Sequence, residues 1–187
     1  KSSLGGDHIT NTGKKKGIII LVNFTDSKFA TGHDKVYYEN VMNTPGFTSD
    51  EGYVGSVRDY FYAQSNGTFE LDFDVFGPIE LGHNYSYYGK DGSSSRDLRV
   101  GMMIKEAVLG ADEAGADWAS YDWDDDGECD QVFVLYAGLG QASGGDANTI
   151  WPHEYKMSAC AELNRTAVTT ASGIVVDTYA CGNENQP

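Results

Sequence analysis

Nine consecutive residues carry the strongest chemical pattern in this chain. Asp122-Trp123-Asp124-Asp125-Asp126-Gly127-Glu128-Cys129-Asp130 places carboxylates at relative positions one, three, five and nine, with glycine at six. Alternate side chains of a tight loop can converge, and a hard divalent cation takes six to eight oxygens at about 2.3–2.6 Å. The expected ligands are Asp122, Asp124, Asp126 and Asp130, with Glu128 through its backbone carbonyl, and the expected ion is calcium. Position twelve is Phe133 rather than a bidentate Glu, and the next apolar run reads as a strand. Both departures point to a structural loop rather than a switching sensor. The plainer reading is a solvated acidic turn.

Other chemistries find little support. His8, His33, His83 and His153 form no pair at helical spacing, and His153-Glu154-Tyr155-Lys156-Met157 has Met where the second histidine of an H-E-x-x-H zinc motif must stand. No G-x-S-x-G nucleophile turn occurs, and Gly138-x-Gly140 lacks the third glycine of a dinucleotide fingerprint. Cys129, Cys160 and Cys181 lack metal-type spacing, and an odd count leaves at least one unpaired within the chain; Cys160 with Cys181 is one pairing the sequence allows.

These residues must be positioned by a fold that 187 residues can build as one domain. The formal charge is -15, and the stretch from Glu106 to Tyr155 contains no Lys or Arg and carries -12 of it. So acidic a chain is repelled by a phosphate backbone, which excludes nucleic acid as a partner. The apolar run Ile18 to Val22 is far too short for the ~20 residues of a membrane span.

Residues 1–16 read as a polar tail or linker remnant, and residues 17–187 as the folded unit. Gly17 to Phe24 has the continuous β-branched character of a central strand. The pattern predicts a helix over Asp34 to Met42 capped by Asp34, another over Tyr53 to Ser65, an alternating strand over Thr68 to Val75, and a helix over Leu98 to Leu109. A strand over Asp130 to Ala137 and a hairpin around Ala171-Ser172 follow. The fold class is α/β, in the α+β sense: a twisted mixed sheet with backing helices.

Five separated segments together resemble one family. They are Gly17-Ile18-Ile19-Ile20-Leu21-Val22-Asn23-Phe24-Thr25-Asp26; Gly55-Ser56-Val57-Arg58-Asp59-Tyr60-Phe61 with its exit Ser65-Asn66-Gly67-Thr68-Phe69; Asp74-Val75-Phe76-Gly77-Pro78; the acidic loop running into Gln131-Val132-Phe133-Val134; and Ile150-Trp151-Pro152-His153. In order and spacing they look like the M6 metallopeptidases, the immune inhibitor A-like secreted zinc proteases.

The resemblance implies the N-terminal part of a zincin catalytic domain, secreted or at the cell surface, cutting protein or peptide substrates with zinc as cofactor. It also implies that the active-site helix follows the segment Thr178-Tyr179-Ala180-Cys181, so that no catalytic residue is expected in this chain, which is expected to be inactive alone. In zincins an extended substrate pairs with an edge strand; Ala147 to Trp151 is the candidate edge here, with Asn148, Ile150 and Trp151 as candidate substrate contacts, and the plainer reading makes Trp151 and His153 satisfied core or loop residues. The Tyr53–Ser65 helix is expected to be core. The rival reading is a calcium-dependent extracellular binding module in which Tyr85 to Tyr88 form a stacking surface for glycans.

Overall fold

The computed structural model describes residues 12–49, 52–93 and 96–185. His8 and the first part of the expected tail lie outside them. Strand β1 (Gly13–Asn23) is central, and from Gly17 onward every residue in it is buried. Ile18, Ile20 and Val22 face one core; Ile19 and Leu21 face another on the opposite side of the sheet. Two buried faces explain why this run lacks the polar alternation of a half-wet strand. The strand starts at Gly13, so Lys14, Lys15 and Lys16 belong to it rather than to a tail. Lys14 Nζ lies 2.7 Å from Asp72 and Lys16 Nζ 2.8 Å from Asp74 on strand β2 (Phe69–Glu80), and these opposite charges let the ladder continue past its apolar part.

The five-stranded sheet has the order β2-β1-β3-β7-β4, with β3 (Val132–Leu139), β4 (His153–Lys156) and β7 (Thr178–Asn185). β2, β1, β3 and β7 run parallel, whereas β4 is antiparallel to β7, with His153 opposite Cys181 and Lys156 opposite Thr178. The mixed α+β architecture expected from the sequence is present. A separate hairpin joins β5 (Val168–Thr169) and β6 (Val175–Val176).

Helix α1 (Lys35–Asn43) starts where the Asp34 side chain accepts from the Tyr37 N–H. Helix α2 (Val57–Gln64) starts in a capping box made by Ser56 and Asp59. That cap places the helix start after Tyr53 and Val54, and Val54 instead bridges to Thr48. The expectation that Tyr53–Ser65 is core does not hold: no α2 residue is fully buried, and Tyr53, Val54, Tyr60 and Tyr62 are exposed. Only one side of α2, through Val57 and Phe61, touches the sheet, so the remaining apolar side chains face outward.

A short helix α3 (Tyr85–Gly89) falls in the tyrosine-bearing stretch. The long helix α4 (Val100–Glu113) backs the sheet with Met103, Ile104, Ala107, Val108 and Ala111 all buried. Tyr85 stacks on Phe24 and gives its hydroxyl to the Leu139 carbonyl, Tyr88 is fully buried, and Tyr87 lies between His83 and Arg99. These tyrosines are structural, which removes the stacking surface that the binding-module reading required.

Candidate functional site

The acidic loop leaves a 3-10 turn, Trp118–Tyr121, whose Trp118 and Tyr121 side chains are fully buried, and it leads into β3. Its backbone is pinned from several sides. The Asp130 N–H donates to the Tyr121 carbonyl at 2.9 Å, the Cys129 N–H to the Val175 carbonyl at 2.8 Å, and the Val175 N–H to the Gly127 carbonyl at 2.8 Å. The Trp123 indole donates to the Lys16 carbonyl at 2.7 Å, which ties the loop to β1. Gly127 has φ +88°, a conformation costly for any residue with a Cβ, so the sharp turn needs glycine there.

Within this frame Asp122, Asp124 and Asp130 each place one carboxylate oxygen within 4.8 Å of the others. Among the described residues no other grouping of three His, Cys, Asp or Glu side chains does so. Asp122 also accepts from the Asp126 N–H at 3.1 Å and the Gly127 N–H at 2.9 Å, and Asp130 accepts from the Trp123 N–H. Asp126 falls outside the trio and its carboxylate accepts from the Glu128 N–H at 2.8 Å. Burial first, and then the charges of Asp124, Asp126 and Asp122, push the Asp130 carboxyl above its ordinary range. Three converging carboxylates supply about half of the oxygen shell that a hard cation takes. The set contains no nitrogen or sulfur and so does not suit zinc.

The candidate substrate residues are placed differently from expectation. Residues 147–151 form a turn, not an edge strand. The reason lies in the backbone: the Ile150 N–H donates to the Tyr85 hydroxyl at 3.2 Å, and its carbonyl accepts from the Tyr136 hydroxyl at 2.9 Å and the Gln141 N–H at 2.8 Å. Ile150 is fully buried, so neither its backbone nor its side chain is open to a ligand. Asn148 is exposed on the turn, and Trp151 is 53% exposed. The sheet edge on this side is β4, two residues further on, which periodicity could not reveal because His153-Glu154-Tyr155-Lys156 has no apolar pattern.

Beside β4 lies a cavity of about 610 Å³. Its lining includes Asp91, Asp97, Gly101, Trp151, Tyr155 and Glu162. Asp97 accepts from the Trp151 N–H at 3.0 Å, and Glu162 accepts at 3.0 Å from the Gly101 N–H in the first turn of α4. A Cβ at Gly101 would come within 2.7 Å of that Glu162 oxygen and 3.0 Å of the Cys160 side chain, so a larger residue there would displace the Glu162 carboxylate. All three cysteines are buried and free, so Cys160 and Cys181 are not paired. Cys181 Sγ lies 3.7 Å from His153 Nδ1, and burial pushes its thiol up to about 12.

Burial, with the nearby charge of Asp91 added, pushes the Asp97 carboxyl up to about 6. The folded value lies above the unfolded one. The stability this group contributes is therefore full below about pH 4 and is lost as pH rises through about 6. A two-unit shift corresponds to about 3 kcal/mol, and solvent screening of this partly exposed group reduces it to about 1 kcal/mol. Asp97→Asn keeps an acceptor for the Trp151 N–H. It is expected to raise the melting temperature by about 2–4 °C at about pH 7.5 and by nothing near pH 4. Equal gains at both values in thermal melts would contradict this account.

The family described as Immune inhibitor A peptidase M6, catalytic domain, matches residues 9–185. The chain is similar to immune inhibitor A of Bacillus thuringiensis subsp. alesti, 23% identical over 175 residues that cover 76% of this chain and 26% of that protein. It is also similar to the pre-pro-metalloprotease PrtV of Vibrio cholerae serotype O1 (strain M66-2), 25% identical over 175 residues that cover 76% of this chain and 19% of that protein. The match thus spans about a quarter of the first relative's length and about a fifth of the second's. With a match running nearly end to end, the chain belongs to the immune inhibitor A peptidase M6 family, within the part its description calls the catalytic domain.

Proposed function

We propose that this chain is the sheet-bearing part of the catalytic domain of a secreted, calcium-stabilised zinc endopeptidase. The observation that carries the reading is β4: an antiparallel edge strand with no partner on its outer side among the described residues, lying next to the cavity. An extended peptide can add to such an edge through main-chain hydrogen bonds, with side chains read by the adjoining pocket. The twisted sheet, α4 and β4 together form the upper part of a zincin cleft in this reading.

The described residues do not make a zinc site. His153 has Cys181 and Tyr179 near it and no third nitrogen, sulfur or carboxylate ligand, and no H-E-x-x-H occurs in the 187 residues. In this proposal the zinc ligands and the group that activates water are not among these 187 residues, and no catalytic step is assigned to them. Asp122, Asp124 and Asp130 hold calcium in this proposal, with Asp126 and the Glu128 carbonyl as further oxygens.

The test uses the protein as its gene encodes it, with unfolded casein as substrate. Cleavage that 1,10-phenanthroline abolishes and added zinc restores is the expected result. Absence of cleavage, or cleavage indifferent to the chelator, would overturn the peptidase reading.

A further inference from the structure

We propose that the cavity beside β4 is a specificity subsite for an arginine-type side chain, with Asp97 as the residue that reads the cation. The inference rests on the reading of β4 as the edge that takes a peptide, and it names the kind of side chain that peptide must carry.

The argument begins with charge. The cavity is lined by Asp91, Asp97, Glu154 and Glu162 against Arg96, with His153 also on the wall. Glu162 is already engaged by the first turn of α4. Asp91 and Asp97 are not so compensated. Asp91 Oδ2 accepts from Gln141 Nε2 at 3.2 Å and Asp97 Oδ2 from the Trp151 N–H at 3.0 Å. The Oδ1 atoms of both have no hydrogen-bond partner and are closed to solvent, so their negative charge acts on the cavity through its field rather than by contact. No ion pair joins either of them to Arg96 or to another cation among the described residues. Two carboxylates in a partly dry place attract a cation strongly, because leaving either one unpaired is costly.

Size and shape then select the cation. A volume of about 610 Å³ far exceeds a bare metal ion, and two carboxylates fall well short of the oxygen shell that calcium demands. It accommodates a long side chain together with water. Trp151 and Tyr155, 53% and 45% exposed, also line the cavity. A guanidinium stacks on aromatic faces while donating to carboxylates, a combination that a neutral or anionic side chain cannot reproduce. The raised Asp97 carboxyl is the behaviour expected of an acid whose counter-ion comes from a ligand.

The experiment measures binding of two labelled pentapeptides, Ala-Ala-Arg-Ala-Ala and its counterpart with citrulline, the neutral isostere of arginine. It uses the protein as its gene encodes it, with 1,10-phenanthroline present so that nothing is cut. The arginine peptide is expected to bind about tenfold tighter than the citrulline peptide, and Asp97→Asn to bring the two within about twofold of each other. Trp151→Ala, at an exposed position, is expected to weaken the arginine peptide by about three- to tenfold. Equal binding of the two peptides to the unaltered protein overturns the subsite, as does no binding of either. A preference that survives Asp97→Asn overturns the role of Asp97. Casein cleavage reads the peptidase proposal separately: cleavage without arginine preference rejects the subsite alone, and arginine preference without cleavage rejects the peptidase reading alone.

Discussion

Removal of calcium is expected to lower the melting temperature by about 5–10 °C. A ligand held at about a hundred times its Kd stabilises the folded state by about 2.7 kcal/mol, and in a domain of this size each kcal/mol moves the midpoint by about 2–4 °C. The structural basis is the repulsion among Asp122, Asp124 and Asp130, whose oxygens converge within 4.8 Å and whose neighbours already push Asp130 upward. Asp124→Asn gives the sharper test. Asp122 and Asp130 also hold backbone N–H groups, so changing either alters the turn itself; Asp124 is the exposed member of the trio. Asp124→Asn is expected to abolish most of the calcium-dependent shift and, because it relieves repulsion, to leave the calcium-free midpoint unchanged or higher. Identical melts with calcium and with chelator would make the loop a plain acidic turn.

Glu184→Ala is expected to destabilise the fold by about 3 kcal/mol, a drop of about 6–12 °C. The Glu184 side chain on β7 is fully enclosed. It accepts from the Ala30 N–H at 2.7 Å, lies 2.8 Å from His33 Nδ1, and accepts a longer bond of 3.4 Å from the Gly138 N–H. One carboxylate thus ties the loop after β1 and the end of β3 to β7, all at the carboxyl ends of the parallel strands. Alanine leaves these donors facing a void, and an unmet buried donor carries its full desolvation cost. Glu184→Gln keeps an oxygen acceptor and is expected to lose less than half as much. Urea unfolding followed by circular dichroism measures both, and a loss below about 1 kcal/mol for alanine would show that these groups find water instead.

Much of the frame was legible because its causes are local. β1 is a β-branched run buried on both sides, Asp34 caps α1 through its own side chain, and the acidic loop carries its carboxylates within nine residues. Apolar spacing extends back to Val54, but α2 starts at Val57 because the capping box of Ser56 and Asp59 decides where the backbone turns. β4 and β7 were obscure for a different reason. A four-residue polar strand exists only because the backbone of residues 178–181 lies beside it, and pairing of that kind has no signature in either segment alone.

What the sequence determined by itself was the class of fold and the family resemblance, since those rest on contiguous patterns. Only the tertiary structure showed that Asp122, Asp124 and Asp130 bring carboxylate oxygens within 4.8 Å of one another, while the Asp126 carboxylate accepts from the Glu128 N–H. Only it moved the edge from residues 147–151 to β4, because the hydrogen-bonding groups of Ile150 are taken by Tyr85, Tyr136 and Gln141. The cavity likewise gathers Asp91, Asp97, Trp151 and Tyr155 from segments more than fifty residues apart in the chain. Their unpaired charge and open aromatic faces arise from packing, and packing is a property of the folded chain rather than of any stretch of it.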